Sequence, residues 1–283
     1  MMEHHREATR AVVGVSANRH LNDGVHRDWL RRRYLEALDR HAGVECVILP
    51  TIDGDLPWDA SVRKFSDALR RLDGLVLTGD ESDLDPAIFN DTERAWHRAD
   101  DDVIPGKRDR PRDRLSRAAL SVATALEMPI LGICRGLQEM NVHRNGTLHP
   151  DLSLASKGVV HHENPALPRD QQYLPVHTVN VVPGGILSSI IDGRALFVNS
   201  LHNQGIAEAA ADIRVEAVAD DGVIEALSYP TPASFQLALQ WHPEWHASSD
   251  AVSQTIFKAF GRACIAYQTE RSWKWRHGEP SGH

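Results

Sequence analysis

The residues best suited to chemistry lie in two places far apart in the chain. The first is Ile130-Leu131-Gly132-Ile133-Cys134-Arg135-Gly136-Leu137-Gln138, in which an apolar run must turn abruptly into a helix with Cys134 at the corner. Small residues two places on either side of a nucleophile permit a strained strand-to-helix turn. Such a turn lifts the side chain above a sheet and leaves backbone N–H groups beside it for a developing oxyanion. The helix N-terminus also favours the thiolate, the reactive form of cysteine. The alternative is a buried cysteine at a glycine-containing strand end.

A nucleophilic thiol needs a base, and sixteen histidines are too many for composition to choose among. Position selects His242, in Gln240-Trp241-His242-Pro243-Glu244, because it directly follows the apolar run Phe235 to Trp241 and so emerges at a strand end. In extended chain, residues i and i+2 point the same way, so Glu244 can lie beside His242 and orient the imidazole, with Pro243 stiffening the link. His242 and His246 also form an i, i+4 pair resembling H-E-x-x-H. There the glutamate is one place late, and Pro243 opposes the continuous helix a metal pair needs. The doublets His4-His5 and His161-His162 read as surface or loop residues, since no Cys or acidic spacing accompanies them. The spacings therefore predict no metal site.

Two further stretches are suited to holding substrate. Asn199-Ser200-Leu201-His202-Asn203-Gln204-Gly205 gathers polar groups after a strand, and could equally be a polar turn ended by glycine. Thr78-Gly79-Asp80 ends another strand, where its backbone N–H groups could complete an oxyanion hole.

These residues need elements to position them. Ala11 to Val15 and Val44 to Leu49 read as buried strands, with a helix between them whose apolar residues Leu30, Tyr34, Leu35 and Leu38 end near Gly43. Gly74 to Leu77 and Pro129 to Ile133 are further strands, the second preceded by a helix with Leu115, Ala118, Ala119, Val122 and Leu126 on one face. The alternation predicts a three-layer α/β sandwich on a mostly parallel sheet. From about residue 174 the strand candidates crowd together at Val176–Val182, Ala195–Val198, Ile213–Ala219, Val223–Leu227 and Phe235–Trp241, which predicts an antiparallel extension. A last helix carries Val252, Ile256, Phe257, Phe260, Ala263, Cys264 and Tyr267 on its apolar stripe, so Cys264 reads as packing, as does Cys46 inside a strand. Residues 80 to 112 read as a long loop, and the stretch after Thr269, with Trp273 and Trp275, as an aperiodic tail. One domain over 11–267 with flexible 1–10 and 268–283 follows.

Composition narrows the function classes. The 283 residues carry 31 Lys and Arg against 39 Asp and Glu, a net charge of -8, which disfavours nonspecific nucleic-acid binding. The cluster Arg31, Arg32 and Arg33 reads as a solvated helix face. Three cysteines without a C-x-x-C pair argue against a disulfide framework or a thiolate zinc site. The polar start, MMEHHREATR, is unlike a signal peptide, and no run approaches the roughly 18 apolar residues of a membrane span, so a cytoplasmic setting is expected.

Taken in chain order, the motifs resemble those of the class I glutamine amidotransferase superfamily, and within it the stand-alone γ-glutamyl hydrolases of peptidase C26 type. The likeness rests on Gly132 to Gln138, Gln171-Gln172-Tyr173, Val198 to Gly205, Asp221-Gly222-Val223-Ile224-Glu225-Ala226 and Gln240 to Trp245. It runs from about residue 11 to about 267. The chain departs from the family at Asp80, where a second glycine is usual, and at Asn145-Gly146, where the family has a glycine pair.

The resemblance implies a class I glutamine amidotransferase-like, flavodoxin-like fold. Cys134 becomes the nucleophile, His242 the acid and base, and Glu244 the residue that orients it. Oxyanion donors are implied at the backbone of Arg135 and of Gly79 or Asp80, and substrate contacts at Gln138, Asn199, Ser200 and His202. The implied substrate is a small-molecule γ-glutamyl amide, first that of 4-aminobutyrate in putrescine breakdown, with no cofactor. A γ-glutamylated diamine or polyamine, partner-dependent glutamine amidotransfer and a silent binding module are the competing readings, and assembly into a homo-oligomer stays open.

Overall fold

The computed structural model describes residues 10–52, 57–85, 108–154, 158–231 and 234–277. Its centre is set by strands whose side chains are apolar on both faces. The strands β5 (Gly74–Leu77), β6 (Ile130–Ile133) and β13 (Gln236–Leu239) are buried at every residue, as expected for the middle of a sheet covered on both sides. With β1 (Val12–Ser16), β4 (Glu45–Leu49), β8 (His177–Val181), β9 (Ala195–Val198), β11 (Arg214–Ala219) and β12 (Ile224–Ser228), they form a sheet of nine described strands in the order β4-β1-β5-β6-β13-β12-β11-β8-β9. The first five of that order run parallel, and β12, β11, β8 and β9 extend them antiparallel. The α/β class, the parallel core and the antiparallel extension are as the sequence predicts. One assignment shifts: β13 is a parallel neighbour of β6 and only its other edge is antiparallel.

Two apolar layers cover the sheet. On one face Val13, Val15, Val76, Leu131, Ile133, Leu237 and Leu239 pack against α1 (Arg32–Ala37), α6 (Ile186–Ile190) and α7 (Ala251–Arg276) through Tyr34, Leu187, Ile256, Phe257 and Phe260. On the other, Leu75, Leu77, Ile130 and Ala238 meet α2 (Trp58–Leu69), α3 (Arg110–Ala125) and α4 (Arg135–His143). The remaining helix, α5 (Arg169–Gln172), is one short turn. Asp109 caps α3 by accepting from the Arg112 N–H at 3.0 Å, and Asp250 caps α7 by accepting from the Ser253 N–H at 3.0 Å. After Ala37 the first helix widens into a π-helical turn, Leu38–Ala42, which Gly43 ends at φ 69°, the stop read from its position.

Four elements escape periodicity. The strands β2 (Asn18–Asn22) and β3 (Val25–Trp29) form an exposed hairpin whose Asp23 and Gly24 both have positive φ, the turn that Asp-Gly favours. The strands β7 (Thr147–His149) and β10 (Gly205–Glu208) make a two-stranded ribbon. The helix α7 also runs on past Tyr267 to Arg276, so the tail expected to be flexible from 268 is ordered through that point. Polar anchors hold it: Gln268 Nε2 donates to Asp73 Oδ2 at 3.0 Å, and Arg271 pairs with Asp73 at 2.7 Å. Trp273 is half-exposed and stacks on His277, in keeping with a surface role. Most of the loop read at 80 to 112, residues 86–107, and the His4-His5 doublet lie outside the described residues. Among the described residues, no helix is long and apolar enough to cross a membrane.

His143, in the last turn of α4, gives the fold a testable pH dependence. Burial, then the Arg144 and Arg117 guanidiniums, push its imidazole down to about 4. In the unfolded chain it titrates near about 6.5, so between these values the unfolded state binds the extra proton and folding loses stability as pH falls. The loss between pH 7 and pH 5 is on the order of 2 kcal/mol. His143→Gln is expected to lessen the fall in urea midpoint between those pH values; an identical fall in both proteins would contradict it.

Candidate active site

The site is built where the ends of three parallel strands meet. The register Leu239↔Ile133 places the residues after β13 beside the corner after β6, and the Cys134 N–H donates to the Leu239 carbonyl at 2.7 Å. Cys134 sits at φ 53°, ψ -103°, a conformation that L side chains rarely adopt. Its neighbours explain how the strain is tolerated. A Cβ on Gly136 would lie 2.5 Å from the Leu77 carbonyl oxygen, and one on Gly132 would lie 2.8 Å from the Ala238 Cβ. Only glycines let α4 settle onto β5 closely enough to force the corner.

His242 and Cys134 flank Gly79, where a Cβ would lie 2.8 Å from His242 Cε1 and 3.1 Å from Cys134 Cβ, and His242 Nδ1 is 2.8 Å from Glu244 Oε1. The carboxylate thus accepts a hydrogen bond from Nδ1–H, which turns Nε2 towards the sulfur. Burial alone would lower the imidazole, but Glu244 first and Cys134 second raise it well above its ordinary value. An imidazolium at His242 and the N-terminus of α4 both present positive charge to the thiol. Asn199 fixes this histidine from behind: its Nδ2 donates to the His242 carbonyl at 3.0 Å and its Oδ1 accepts from the His242 N–H at 2.8 Å.

Tyr34 is the group that sequence reasoning left in the core. It does lie on the buried face of α1, but its hydroxyl accepts from the Gly79 N–H at 2.9 Å and stands 3.5 Å from His242 Nδ1. A buried phenol needs a polar partner, and that requirement was its one sequence signal. The contact alters the expected oxyanion hole. The Gly79 N–H is engaged by Tyr34, which leaves the Asp80 N–H and that of Arg135, in the first turn of α4, as candidate donors. Tyr173 closes another side, edge-on to His242 at 5.2 Å between ring centroids and stacked on Trp245 at 3.6 Å.

The other expected site residues are placed as follows. The Arg135 guanidinium turns into the protein, donating to Asp113 Oδ1 at 2.5 Å, to Glu139 and to the Ser82 carbonyl. Gln138 Nε2 donates to the Gln204 carbonyl at 2.9 Å. Asp80 is buried, with Oδ2 accepting from the Ser82 N–H at 3.1 Å. Burial would raise its carboxyl, but Ser82 and then Arg135 outweigh it and lower it. The Ser200 hydroxyl donates to the His161 carbonyl at 3.0 Å, and His202 Nδ1 donates to the Gln204 carbonyl at 2.9 Å, so both side chains are held by protein groups. His161 is buried rather than on the surface, because it meets Asp221 and Glu225. The arginine cluster splits: Arg32 is exposed, while Arg31 is largely covered, against Trp29 and Glu81.

A cysteine at a strained strand-to-helix corner, with an imidazole and a carboxylate beside it on this sheet order, is the arrangement a cysteine nucleophile in an α/β fold would require. The chain belongs to the Peptidase C26 family, which it matches over residues 11–244. It is 36% identical over 261 residues to the gamma-glutamyl-gamma-aminobutyrate hydrolase PuuD of Escherichia coli (strain K12), covering 92% of this chain and 96% of that one. The same figures hold for the gamma-glutamyl-gamma-aminobutyrate hydrolase of Shigella sonnei (strain Ss046). Among solved structures, the glutaminase domain of Trypanosoma brucei CTPS superposes with a TM-score of 0.56 at 16% identity, covering 89% of this chain and 94% of that domain. That likeness is one of fold.

Two outcomes test the geometry. Cys134→Gly relieves the strained φ that Cys134→Ala retains, so both are expected to be inactive and the glycine variant to be more stable by about 1 kcal/mol. Equal urea midpoints would count against strain at the corner. Tyr34→Phe orphans the Gly79 N–H and should lower kcat about tenfold and stability by about 1–2 kcal/mol; wild-type kinetics would remove the phenol from the site.

Proposed function

We propose that this chain is a cysteine-dependent hydrolase that cleaves the γ-glutamyl amide of γ-glutamyl-γ-aminobutyrate to glutamate and 4-aminobutyrate, in the cytoplasm and without a partner protein. The observation that carries the reading is the line Cys134, His242, Glu244 at the ends of β6 and β13. The residues between 11 and 267 act in it as one domain.

In the first half-reaction the Cys134 thiolate attacks the γ-carbonyl carbon, and the C=O electron pair moves onto oxygen, facing the N–H groups of Arg135 and Asp80. Collapse expels the amine, which takes the His242 Nε2 proton, and leaves a γ-glutamyl thioester on Cys134. His242, now neutral, draws a proton from water as that water attacks the thioester. Glutamate leaves and the thiolate–imidazolium pair is restored. Glu244 holds the ring and its charge throughout.

Guanidiniums near the site suit an anionic leaving group. Arg31 and Arg169 both bond Glu81, the second at 2.8 Å, and Arg31 also lies within electrostatic reach of Asp80. Arg169 also reaches the Tyr173 hydroxyl at 3.3 Å, and Arg31 lies within electrostatic reach of Tyr34 and Tyr173. Within the acidic loop that could have suited a diamine, Asp85 is already paired, with Arg110 at 2.8 Å and Arg108 at 3.3 Å. The carboxylate of 4-aminobutyrate would pair with these guanidiniums.

Glutamate release is the test, measured with γ-glutamyl-γ-aminobutyrate, γ-glutamylputrescine and glutamine side by side and with Cys134→Ala as the blank. The first substrate is expected to be preferred. A charge-assisted contact is worth about 1.5–3 kcal/mol, so Arg31→Gln should raise its KM about tenfold and leave that of γ-glutamylputrescine within about twofold. Preference for the cationic conjugate, or equal losses on both, would overturn the substrate assignment. Activity in the blank would overturn the mechanism.

A further inference from the structure

A second cluster of titratable side chains lies one strand away from the catalytic histidine and takes no part in the chemistry above. Glu225, the second residue of β12, is fully buried and is met by three imidazoles from separate segments. His161 comes from the connection between β7 and α5, His177 opens β8, and His202 lies between β9 and β10. His161 Nδ1, His177 Nε2 and His202 Nε2 stand 3.3, 3.5 and 3.6 Å from the same oxygen, Glu225 Oε1. None of these contacts is aligned as a hydrogen bond. Both Glu225 oxygens, both ring nitrogens of His177 and the Nδ1 of His161 are buried without a hydrogen-bond partner among the described residues.

Such a set of orphans is costly, and polar atoms buried together are normally satisfied by something. The surrounding groups say what kind of thing. His161 Nε2 lies 2.8 Å from Asp221 Oδ2, so it carries the ring proton and Nδ1 presents a lone pair towards Glu225. His202 is held at both nitrogens, Nδ1 donating to the Gln204 carbonyl at 2.9 Å and Nε2 lying 3.1 Å from the Ser200 hydroxyl, so it borders the cluster without being one of its orphans. Lone pairs and a carboxylate oxygen facing one another at this range repel unless a cation lies between them. The spacing suits one: donors at about 2.0–2.1 Å from a tetrahedral zinc ion stand about 3.3 Å apart, and His161 Nδ1 and His177 Nε2 lie 3.3 and 3.5 Å from Glu225 Oε1. The donor atoms of His161, His177 and Glu225 all lie within 4.8 Å of one another.

We propose that His161, His177 and Glu225 bind one divalent transition-metal ion, zinc before others, at a site distinct from Cys134. Two imidazoles and a carboxylate supply three corners of a tetrahedron and leave the fourth to water, with His202 Nε2 at the rim, 3.6 Å from Glu225 Oε1. Asp221 is the outer carboxylate that fixes the His161 tautomer. The ion ties the His161 connection to the sheet, and His161 holds the 199–204 loop, its carbonyl accepting from the His202 N–H at 2.8 Å and from the Ser200 hydroxyl at 3.0 Å. That loop also carries Asn199, which grips both backbone groups of His242, and the Glu225 carbonyl accepts from the Gln240 N–H at 2.7 Å. Occupancy therefore steadies the catalytic histidine from two sides without touching substrate.

The test uses the full chain carrying Cys134→Ala, so that the catalytic thiol cannot take the ion, stripped with a chelator and titrated calorimetrically with zinc chloride. One equivalent should bind and raise the thermal midpoint, and cobalt(II) in its place should give the visible absorption of a tetrahedral site. Glu225→Gln and His177→Gln, checked by circular dichroism, should weaken zinc binding at least about 100-fold, while His26→Gln on the exposed hairpin should bind as its parent. Should the buried variants fail to fold, the cobalt spectrum of the parent decides alone. Absence of a stoichiometric site, an octahedral cobalt spectrum, or binding undiminished in both folded variants would overturn the proposal and leave protons as what the cluster holds.

Discussion

The backbone of Cys134 is the constraint from which the rest of the site follows. A side chain held at φ 53° needs its surroundings to fix it more firmly than its own conformational preference opposes. They do so by crowding: α4 sits so close to β5 that position 136 has no room for a Cβ, and the Cys134 N–H is tied to β13. The corner, the helix N-terminus and the strand carrying His242 are consequently one packing arrangement. Cys134 is brought to His242, its proposed base, by the sheet itself.

Buried charge holds the ground beneath that corner. Arg112, fully buried, donates to the Thr78 carbonyl at 2.8 Å and pairs with Glu139 at 3.0 Å, and Glu139 also meets Arg135. One carboxylate on α4 therefore links the loop after β5, through Arg112, to the first residue of the catalytic helix. Ions so deeply buried are stabilising only when every partner is present. Their value here is geometric, because the two backbone N–H groups offered to an oxyanion come from the two segments that the network joins.

Much of this was legible in the sequence, for reasons that differ by residue. Gly132-x-Cys134-x-Gly136 and His242-Pro243-Glu244 are local patterns, so spacing alone gave the corner and the i, i+2 pair. The parallel core was legible because its strands are apolar on both faces. The hairpin β2–β3 was not, since its side chains are largely exposed and leave no periodic trace. The helical stretch after Tyr267 was hidden because an ion pair and a hydrogen bond to Asp73, rather than an apolar stripe, hold it. Tyr34 looked like core and is core, yet its hydroxyl is spent on Gly79. Least legible of all was the cluster around Glu225: its histidines come from three segments, and no linear spacing can encode a meeting of that kind.

The three sulfurs of the chain carry a last consequence. Cys264 is sealed against Gly74, where even a methyl group would lie 2.6 Å from Sγ, and burial holds its thiol well above its ordinary value. Cys46 is half-buried in β4, and burial, then Asp39, push it up to about 11. Neither has an imidazolium beside it. An electrophile offered to the folded protein therefore meets one competent sulfur, and a warhead built on a γ-glutamyl group would mark this protein at a single atom.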